Sequence, residues 1–249
     1  MSEPELRPFP TEWERGLVVV AHPDDIEWSA AAAVCAWSDA GKDVRYLLVT
    51  RGEAGIAGLP PAESGPLREA EQRRAGEIVG AREVLFLDHR DGRIEAGVAL
   101  RRDIARVIRR VRPEVVVTLN HLERWGLAPG AGWNSADHRA VGQATLDAVS
   151  DAANEWIFPE LDAEGLAPWQ GTRWTAIGGS PWPTHAVDVS ACVDRAFDSL
   201  RAHRRYIEAL VTDGGDPDDY ARRVVDRALG MTSGRFGGRP TIAFELVGG

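Results

Sequence analysis

Four side chains that can bind a metal ion or move a proton follow one apolar run near the start of the chain. The run GLVVVA at 16–21 is typical of a buried strand, and His22, Asp24, Asp25 and Glu27 come directly after it. Buried charge costs free energy unless it is paired or bound to a metal. His22 and Asp25 lie close enough on one turn to reach the same cation, while Asp24 between them can point elsewhere. The stretch therefore predicts part of a metal site at a strand end.

One more imidazole from another strand end would complete a site of the catalytic zinc type, which keeps an open position for water. His138 is the best candidate by position, because it follows the fourth predicted strand at the start of a helix, directly after Asp137. Taken singly, these residues would indicate no more than helix caps, but their convergence with Asp24 on two neighbouring strand ends favours a site. His89 and His121 also follow strands and are reserve candidates. His185 is ambiguous between a strand residue and one that lines the cleft, and His203 is predicted to be structural.

The hydrophobic pattern predicts the elements that position these residues. Apolar strand patterns alternate with helical patterns, in the order strand 16–21, helix 28–40, strand 43–50, helix 66–80, strand 83–88, helix 99–111, strand 114–119 and a helix from 137. Strands that are apolar along their whole length indicate a parallel sheet covered by helices on both faces. The predicted fold class is therefore α/β, with a Rossmann-like, mostly parallel twisted sheet. Ligands of such sheets gather at the carboxyl ends of the strands.

The second half of the chain has a less regular pattern. A single domain over 1–249 is expected, with its core at 16–150. The remainder, 151–249, begins with an irregular segment at about 158–183 that contains Trp169, Trp174 and Trp182. Strands are then predicted at PTHAVDVS and TIAFELV, with a long helix between them at about 190–210. Asp216, Asp218 and Asp219 are interpreted as turn and cap residues of a further helix.

The charge balance argues against nucleic acid as a partner. The chain has 29 basic and 38 acidic side chains and a net charge of -9, the wrong sign for neutralising a phosphate backbone. The helix at 99–111 has aliphatic residues at helical spacing, so its arginines are predicted to lie mostly on a solvated face. These are Arg101, Arg102, Arg106, Arg109 and Arg110. No apolar run is long enough to span a bilayer, so no membrane partner is expected.

Cysteine content and the N-terminal segment predict the compartment. Cys35 and Cys192 form no metal-type or redox-type sequence pair, and no disulfide framework is needed. We expect both to be small core hydrophobes. The N-terminal MSEPELRPFPTEWERG is acidic and has no apolar leader region. The sequence therefore predicts a cytoplasmic protein.

Four motifs carry a resemblance to a known family. They are AHPDDIE after the first strand, VTRGEAG after the second, REAEQRRAGEIVGAREVLFLDHRDGRI through the third and ADHRAVG after the fourth. Together they resemble the PIG-L/LmbE-like family of metal-dependent N-deacetylases over about 16–150, with fainter similarity at HRRYIEAL and RFGGRPTIAFELV. The resemblance implies an LmbE-like fold and hydrolysis of N-acetylglucosaminyl conjugates.

The resemblance also implies roles for individual residues. His22, Asp25 and His138 match the metal ligands, which suit Zn²⁺ or Fe²⁺ almost equally, and Asp24 matches the general base. Arg68 and Asp91 match positions near the sugar substrate. Asp137 is expected to support the site from beside its metal-binding histidine and counts with Asp24 among the predicted catalytic residues.

One position departs from the family pattern. Better-known members have a second histidine three residues before the metal-binding one, and this chain has Ser135 there. A serine hydroxyl donates a hydrogen bond but supplies no imidazolium charge. Ser135 and Asn134 are predicted to contact the substrate, and the candidates for the missing oxyanion donor are Asn134, His121 and His185. Trp125 and Trp133, in the irregular segment 121–136, are expected either to stack on an apolar sugar face or to cover the site.

These observations predict a metal-dependent hydrolase that removes an acetyl or similar acyl group from an N-acetylglucosamine-type sugar or related small metabolite. The main alternative is hydrolysis of another amide, such as a thiol conjugate or an acylated natural product, and a non-catalytic sugar-binding protein is a further one. A dinucleotide-dependent enzyme is disfavoured, because no G-x-G-x-x-G follows the first strand. The partner is a small-molecule amide, and the sequence leaves a homo-oligomer open.

Overall fold

The computed structural model describes residues 4–128, 130–212 and 214–248. The strands within these ranges are β1 (Arg7–Pro8), β2 (Arg15–Val20), β3 (Asp43–Leu48), β4 (Glu83–Phe86), β5 (Val115–Leu119), β6 (Trp174–Gly178), β7 (His185–Asp188) and β8 (Thr241–Val247). The helices are α1 (Asp25–Ser29), α2 (Ala31–Asp39), α3 (Pro61–Val79), α4 (Val98–Val111), α5 (Ala136–Ala153), α6 (Pro159–Ala163), α7 (Val193–Arg201), α8 (Arg204–Leu210) and α9 (Pro217–Gly230). None of the helices in these ranges is long and apolar enough to cross a membrane.

The strands form one mixed sheet in the order β1-β7-β8-β6-β5-β2-β3-β4. From β4 through to β6 every neighbouring pair is parallel, whereas β8 pairs antiparallel with both β6 and β7. The predicted mostly parallel α/β fold is confirmed. Apolar strands such as β2 and β5 lie at the centre because their side chains are buried on both faces of the sheet.

The strand order also determines where the helices lie. The chain moves outward from β2 to β3 to β4, returns to β5 beside β2, and then moves outward the other way to β6. Since such crossovers are right-handed, α2 and α3 cover one face of the sheet, and α4 and α5 cover the other. The carboxyl ends of β2 and β5 are consequently adjacent at one edge of the sheet.

Two predictions for the second half were wrong in detail. The segment at 158–183, predicted to be irregular, contains α6 and β6, and β6 is a buried strand between β5 and β8. The single helix predicted at about 190–210 is two helices, α7 and α8. The break falls at Ala202 and His203, where the His203 side chain is fully buried and the backbone leaves the helical conformation.

Arg109 does not lie on the solvated face predicted for the arginines of α4. Its side chain is only 2% exposed, and its guanidinium donates hydrogen bonds to the carbonyl oxygens of Ala152, Asn154 and Leu166. The carbonyls of Ala152 and Asn154 lie at the end of α5, where helix geometry leaves acceptors unpaired, and that of Leu166 lies in the loop after α6. The helical period located the arginine correctly on α4 but could not show that α5 supplies partners there.

The two cysteines are paired, which corrects the prediction that they are separate core residues. Cys35 in α2 and Cys192 just before α7 form a disulfide that spans 157 residues of sequence. Both are buried, as expected. The sequence offers no spacing signal for this bond, because it depends on α2 and α7 packing together in the fold.

Candidate active site

The candidate site lies where β2 and β5 end. β2 ends at Val20, two residues before His22, and α5 after the β5 loop begins at Ala136, two residues before His138. Ser135 caps α5 by accepting a hydrogen bond from the His138 backbone N–H at 3.1 Å. The two imidazole rings lie 5.3 Å apart between centroids. Residues 116 positions apart in sequence are therefore brought together by adjacent parallel strands.

Asp25 lies between the two histidines. Its Oδ1 is 3.0 Å from His138 Nε2, and its Oδ2 is 3.4 Å from His22 Nδ1. One ligand atom from each of the three residues lies within 4.8 Å of the other two. Zinc with bonds of about 2.0–2.2 Å in a tetrahedron needs ligand atoms about 3.3–3.6 Å apart, so the donor set fits such an ion.

The outer nitrogen of each imidazole has its own partner. His22 Nε2 lies 3.1 Å from both Asp91 Oδ1 and Asp137 Oδ2, and His138 Nδ1 lies 3.0 Å from Asn134 Oδ1. An imidazole that donates its outer N–H presents the lone pair of its other nitrogen. The arrangement therefore turns His22 Nδ1 and His138 Nε2 towards Asp25 in the form that binds a metal. His22, Asp91 and Asp137 form a second cluster of possible metal ligands. In that cluster, however, His22 Nε2 is the hydrogen-bond donor that the two carboxylates share.

Asp137 joins the site to the loop after β4. Its Oδ2 accepts a hydrogen bond from the Gly92 N–H at 2.7 Å, and its Oδ1 accepts one from the Ile94 N–H at 3.2 Å. The carboxylate is almost wholly buried. Asp137 thus orients His22, and not the adjacent His138, and fixes the loop that carries Asp91. Its predicted catalytic role stays a prediction.

Asn134 has no donor left for a substrate. It is fully buried, and its amide nitrogen donates to the carbonyl oxygens of Asn120 at 2.6 Å and Leu122 at 3.0 Å. Its side-chain oxygen faces His138. This geometry corrects the substrate contact predicted for Asn134, because the amide is used to orient the histidine.

Asp24 has an unusual backbone and a held carboxylate. Its φ is 84°, in the left-handed region that costs free energy for a non-glycine residue. Its N–H donates to Gln72 Oε1 at 3.0 Å, and its Oδ1 accepts from Arg68 Nη2 at 2.8 Å. Burial raises the pKa of Asp24 to about 6, against the opposing charge of Arg68 and with a further increase from Asp25. A carboxyl with such a pKa is suited to accept and return a proton near neutral pH.

The pKa values of Asp25 and His22 are both shifted in the direction that favours the charged form, in contrast to that of Asp24. Burial would raise the pKa of Asp25, but His138 and His22 hold it well below its usual range. Burial would lower the pKa of His22, and its hydrogen bonds to Asp137, Asp25 and Asp91 instead raise it well above the ordinary value. The two neighbouring aspartates therefore differ in their environments, because Asp25 contacts two imidazoles directly whereas the carboxylate of Asp24 pairs with Arg68.

Arg68 lies behind Asp24. Its side chain is 2% exposed, and its guanidinium also donates to the carbonyl oxygens of Pro23 at 2.6 Å and Gly52 at 3.0 Å. The ring of Tyr206 stacks 3.8 Å from its central carbon. These contacts place Arg68 next to the predicted base, so any effect on a sugar passes through Asp24 and the surrounding loops.

A family comparison now adds to this geometry. The family model described as PIG-L: GlcNAc-PI de-N-acetylase matches residues 17–149, more than half of the chain. The chain belongs to the PIG-L family. The matched range contains His22, Asp24, Asp25 and His138 and ends near the end of α5.

Proteins that resemble this chain over a longer stretch are named as deacetylases. The chain is 32% identical over 189 residues to 1D-myo-inositol 2-acetamido-2-deoxy-alpha-D-glucopyranoside deacetylase from Kineococcus radiotolerans, covering 63% of this chain and 49% of that protein. It thus spans about half the length of this relative. It is also 32% identical over 189 residues to diacetylchitobiose deacetylase from Thermococcus kodakarensis, covering 75% of this chain and 68% of that protein. The N,N'-diacetylchitobiose deacetylase from Pyrococcus horikoshii shares the fold, with a TM-score of 0.83 at 20% identity over 95% of this chain and 85% of that one.

The serine that departs from the PIG-L pattern lies beside His138, whereas two of the proposed replacements lie farther along the sheet or in a separate groove. Ser135 is exposed at the start of α5, and its oxygen caps His138 while its hydroxyl hydrogen stays available. His185 begins β7, and its register through Phe244 puts it level with Gly178 at the carboxyl end of β6, but β8 and β6 lie between β7 and β5 in the sheet. His121 lines a groove between α5 and β6. Neither His185 nor His121 contacts His22, Asp25 or His138 among the described residues, so their role as the oxyanion donor stays a prediction.

A buried polar network behind Asp24 was missed by the sequence analysis. Gln72 Nε2 donates to Glu27 Oε1 at 3.2 Å, and Ser199 Oγ donates to the same oxygen at 3.0 Å. His203 Nε2 lies 3.2 Å from Glu27 Oε2, with both side chains at 0% exposure. Glu27 was visible in the first motif, but its partners come from α3, α7 and the start of α8, which no local pattern connects.

Proposed function

We propose that this chain hydrolyses the amide bond of an N-acetylglucosamine-type sugar conjugate, releasing acetate or a similar short acid and a free amine. The observation that supports the proposal most strongly is the buried Asp24 carboxylate, which interacts electrostatically with Asp25 and His22 of the group formed by His22, Asp25 and His138. Membership of the PIG-L family supports the same reaction. Relatives named for substrates built on N-acetylated glucosamine support the sugar class.

We assign His22, Asp25 and His138 as ligands of a divalent ion, Zn²⁺ or Fe²⁺. Two imidazoles and one carboxylate suit either ion and leave positions for water and substrate. An ion held there makes water a stronger acid and polarises a carbonyl oxygen. Asn134, Asp91 and Asp137 keep the ligand rings in the binding orientation.

Asp24 is the residue that moves the proton. Its carboxylate takes a proton from the attacking water as the water oxygen bonds to the acyl carbon, and the proton then passes to the departing nitrogen as the C–N bond breaks. Protonation is needed because an amine anion is a poor leaving group. Arg68 and Gln72 hold Asp24 at its carboxylate and its backbone N–H during this cycle. Ser135 is a side-chain candidate for a hydrogen bond to the developing oxyanion.

A second candidate function is hydrolysis of a different small-molecule amide. The feature that favours it is Ser135, which occupies the position of the family's second histidine and supplies no positive charge. Loss of one oxyanion donor typically costs about 2.7–4 kcal/mol of barrier. An amide with a better leaving group would need less of this stabilisation.

We also propose that the protein is located in the cytoplasm, and the state of the disulfide tests this location. Cytosolic glutathione keeps most thiols reduced. Trapping free thiols with a maleimide in intact cells would label Cys35 and Cys192 in a reducing compartment and leave them unlabelled in an oxidising one.

The test of function is a substrate panel with zinc-loaded and iron-loaded protein. N-acetylglucosamine, N,N'-diacetylchitobiose, an N-acetylglucosaminyl inositol and a non-sugar acetamide would be compared by measuring released acetate and free amine. Release in equal amounts from the sugars, and much less from the acetamide, is the expected result. Activity on the acetamide alone would favour the second candidate, and no release from any compound by metal-loaded protein would favour a non-catalytic binding protein.

A further inference from the structure

The loop between β5 and α5 brings an indole ring to the metal-ligand group. The ring of Trp125 contacts that of His138 edge to face, with centroids 5.5 Å apart and an interplanar angle of 71°. On another side it packs on the turn after β6, where a Cβ on Gly179 would lie 3.0 Å from the indole Cζ3. Gly179 has a φ of 69°, so both its backbone and its missing side chain suit this approach. Trp125 is nevertheless 41% exposed, which leaves indole surface open beside a predicted ligand.

The position of Trp125 is fixed by two buried amides. Asn120 donates from its side chain to the Arg124 carbonyl at 3.0 Å and accepts from the Leu122 N–H at 2.9 Å. Asn134 ties the same loop to His138, through its bonds to the carbonyls of Asn120 and Leu122. The backbone N–H of Trp125 closes the loop by donating to the Gly132 carbonyl at 3.0 Å. The indole and the ligand histidine are therefore parts of one hydrogen-bonded unit.

Trp133, on the same loop, differs from Trp125 in its surroundings. It is 58% exposed, and the guanidinium groups of Arg124 and Arg139 lie 5.4 Å and 5.2 Å from its ring centroid. Its π surface is thus already occupied by cations. No ring contact joins Trp133 to His22 or His138 among the described residues. The two tryptophans that the sequence could not distinguish have different environments.

We propose that Trp125 is a specificity-determining residue whose open indole surface receives the apolar C–H face of the substrate's sugar ring. The inference rests on the proposed function, because the amide of that sugar must reach the group formed by His22, Asp25 and His138. A pyranose presents a flat set of C–H groups comparable in size to an indole, and such apolar contact adds orientation to a site otherwise lined by carboxylates and imidazoles. The acyl methyl group is too small to cover the exposed part of Trp125.

The first test compares steady-state kinetics of Trp125→Leu, Trp125→Phe and Trp133→Leu with the wild type on N-acetylglucosamine. Trp125→Leu is expected to raise KM about tenfold, the size expected for one lost apolar contact of this kind. Trp125→Phe restores a flat ring and should recover part of the affinity. Trp133→Leu is the matched control on the same loop and should leave KM within about twofold. Thermal unfolding midpoints establish that all variants are folded.

The second test measures the contact directly and does not depend on turnover. Saturation-transfer NMR with N-acetylglucosamine would use Asp24→Asn protein, so that the sugar is not consumed, with and without the Trp125→Leu and Trp133→Leu changes. The proposal predicts that Trp125→Leu reduces saturation of the sugar-ring protons several-fold relative to the acetyl methyl protons. Trp133→Leu should leave that ratio unchanged.

The outcomes separate this inference from the proposed function. Equal loss of ring and methyl signals would overturn it, since Trp125 would then support the acyl site or the fold. Unchanged signals, or absence of sugar binding to the parent protein, would also overturn it. A loss of saturation confined to the sugar-ring protons, together with no acetate release by wild-type protein loaded with metal, would support the role of Trp125 while rejecting the deacetylase proposal.

Discussion

Arg68 Nη2 lies 2.8 Å from Asp24 Oδ1, in an ion pair whose side chains are 2% and 12% exposed. Asp24 has a left-handed backbone conformation, and its N–H donates a hydrogen bond to Gln72. Arg68 also donates to backbone carbonyls on two loops, at Pro23 and Gly52. The arginine therefore links the predicted base to the fold around it, and its removal would leave a buried carboxylate without its partner.

Replacing Arg68 by methionine should destabilise the protein. Breaking a buried pair from one side typically costs about 3–5 kcal/mol, because the remaining charge is uncompensated. Urea unfolding followed by circular dichroism measures this loss. Arg74→Met is a control on the same helix, since the Arg74–Glu77 pair is 67% exposed on both sides and should cost no more than about 1 kcal/mol. Equal effects of the two substitutions would contradict the importance given to the buried pair.

Asp24→Asn should abolish most turnover while metal binding persists. The amide keeps the size of the side chain but accepts no proton, and general base catalysis typically contributes about 10²–10⁴-fold. The measurement is kcat together with metal content of the same preparation. Asp88→Asn changes a carboxylate that is 91% exposed and should leave kcat near the wild-type value. Near-normal kcat in Asp24→Asn would show that another residue is the base.

Asn134→Leu should weaken metal binding without removing a ligand. Partners of metal-binding histidines typically contribute about 10–100-fold in metal affinity, and Asn134 is the residue that faces His138 Nδ1. Competition with a chromophoric chelator measures zinc affinity. Gln143→Ala, an exposed change on α5, the helix that carries His138, is the control. If zinc affinity of folded Asn134→Leu protein equals that of the wild type, the orienting role is wrong.

The sequence predicted the centre of the site better than its surroundings. His22, Asp25 and His138 were predicted to come together because they follow strands whose ends meet at one edge of a parallel sheet, and because they match the metal ligands of the PIG-L family. The structure does group them. The partners of Arg68 and Arg109 could not be predicted, because a helical period reports which face a residue occupies and not which distant backbone lies against it. The same limit explains the missed contact between Glu27 and His203, which are 176 positions apart.

Loss of the Cys35–Cys192 bond should lower stability. A disulfide that closes a long loop typically contributes about 2–4 kcal/mol by restricting the unfolded chain, and this one spans 157 residues. Urea unfolding of the double variant Cys35→Ala, Cys192→Ala against oxidised wild type measures the difference. Wild type kept in reductant serves as a control that retains both side chains. Two free thiols per chain in oxidised, folded protein would contradict the bond.

The most direct test of the account is metal content by elemental analysis, on wild type and His138→Ala purified side by side without chelator and reconstituted with zinc or iron. The account predicts about one equivalent of ion in the wild type and a marked loss in His138→Ala. His89→Ala is the matched control, because His89 pairs with Asp103 on α4 and should keep the ion. Folded wild type that binds no ion after reconstitution, or His138→Ala that keeps a full equivalent, would contradict the central claim that His22, Asp25 and His138 form a metal site.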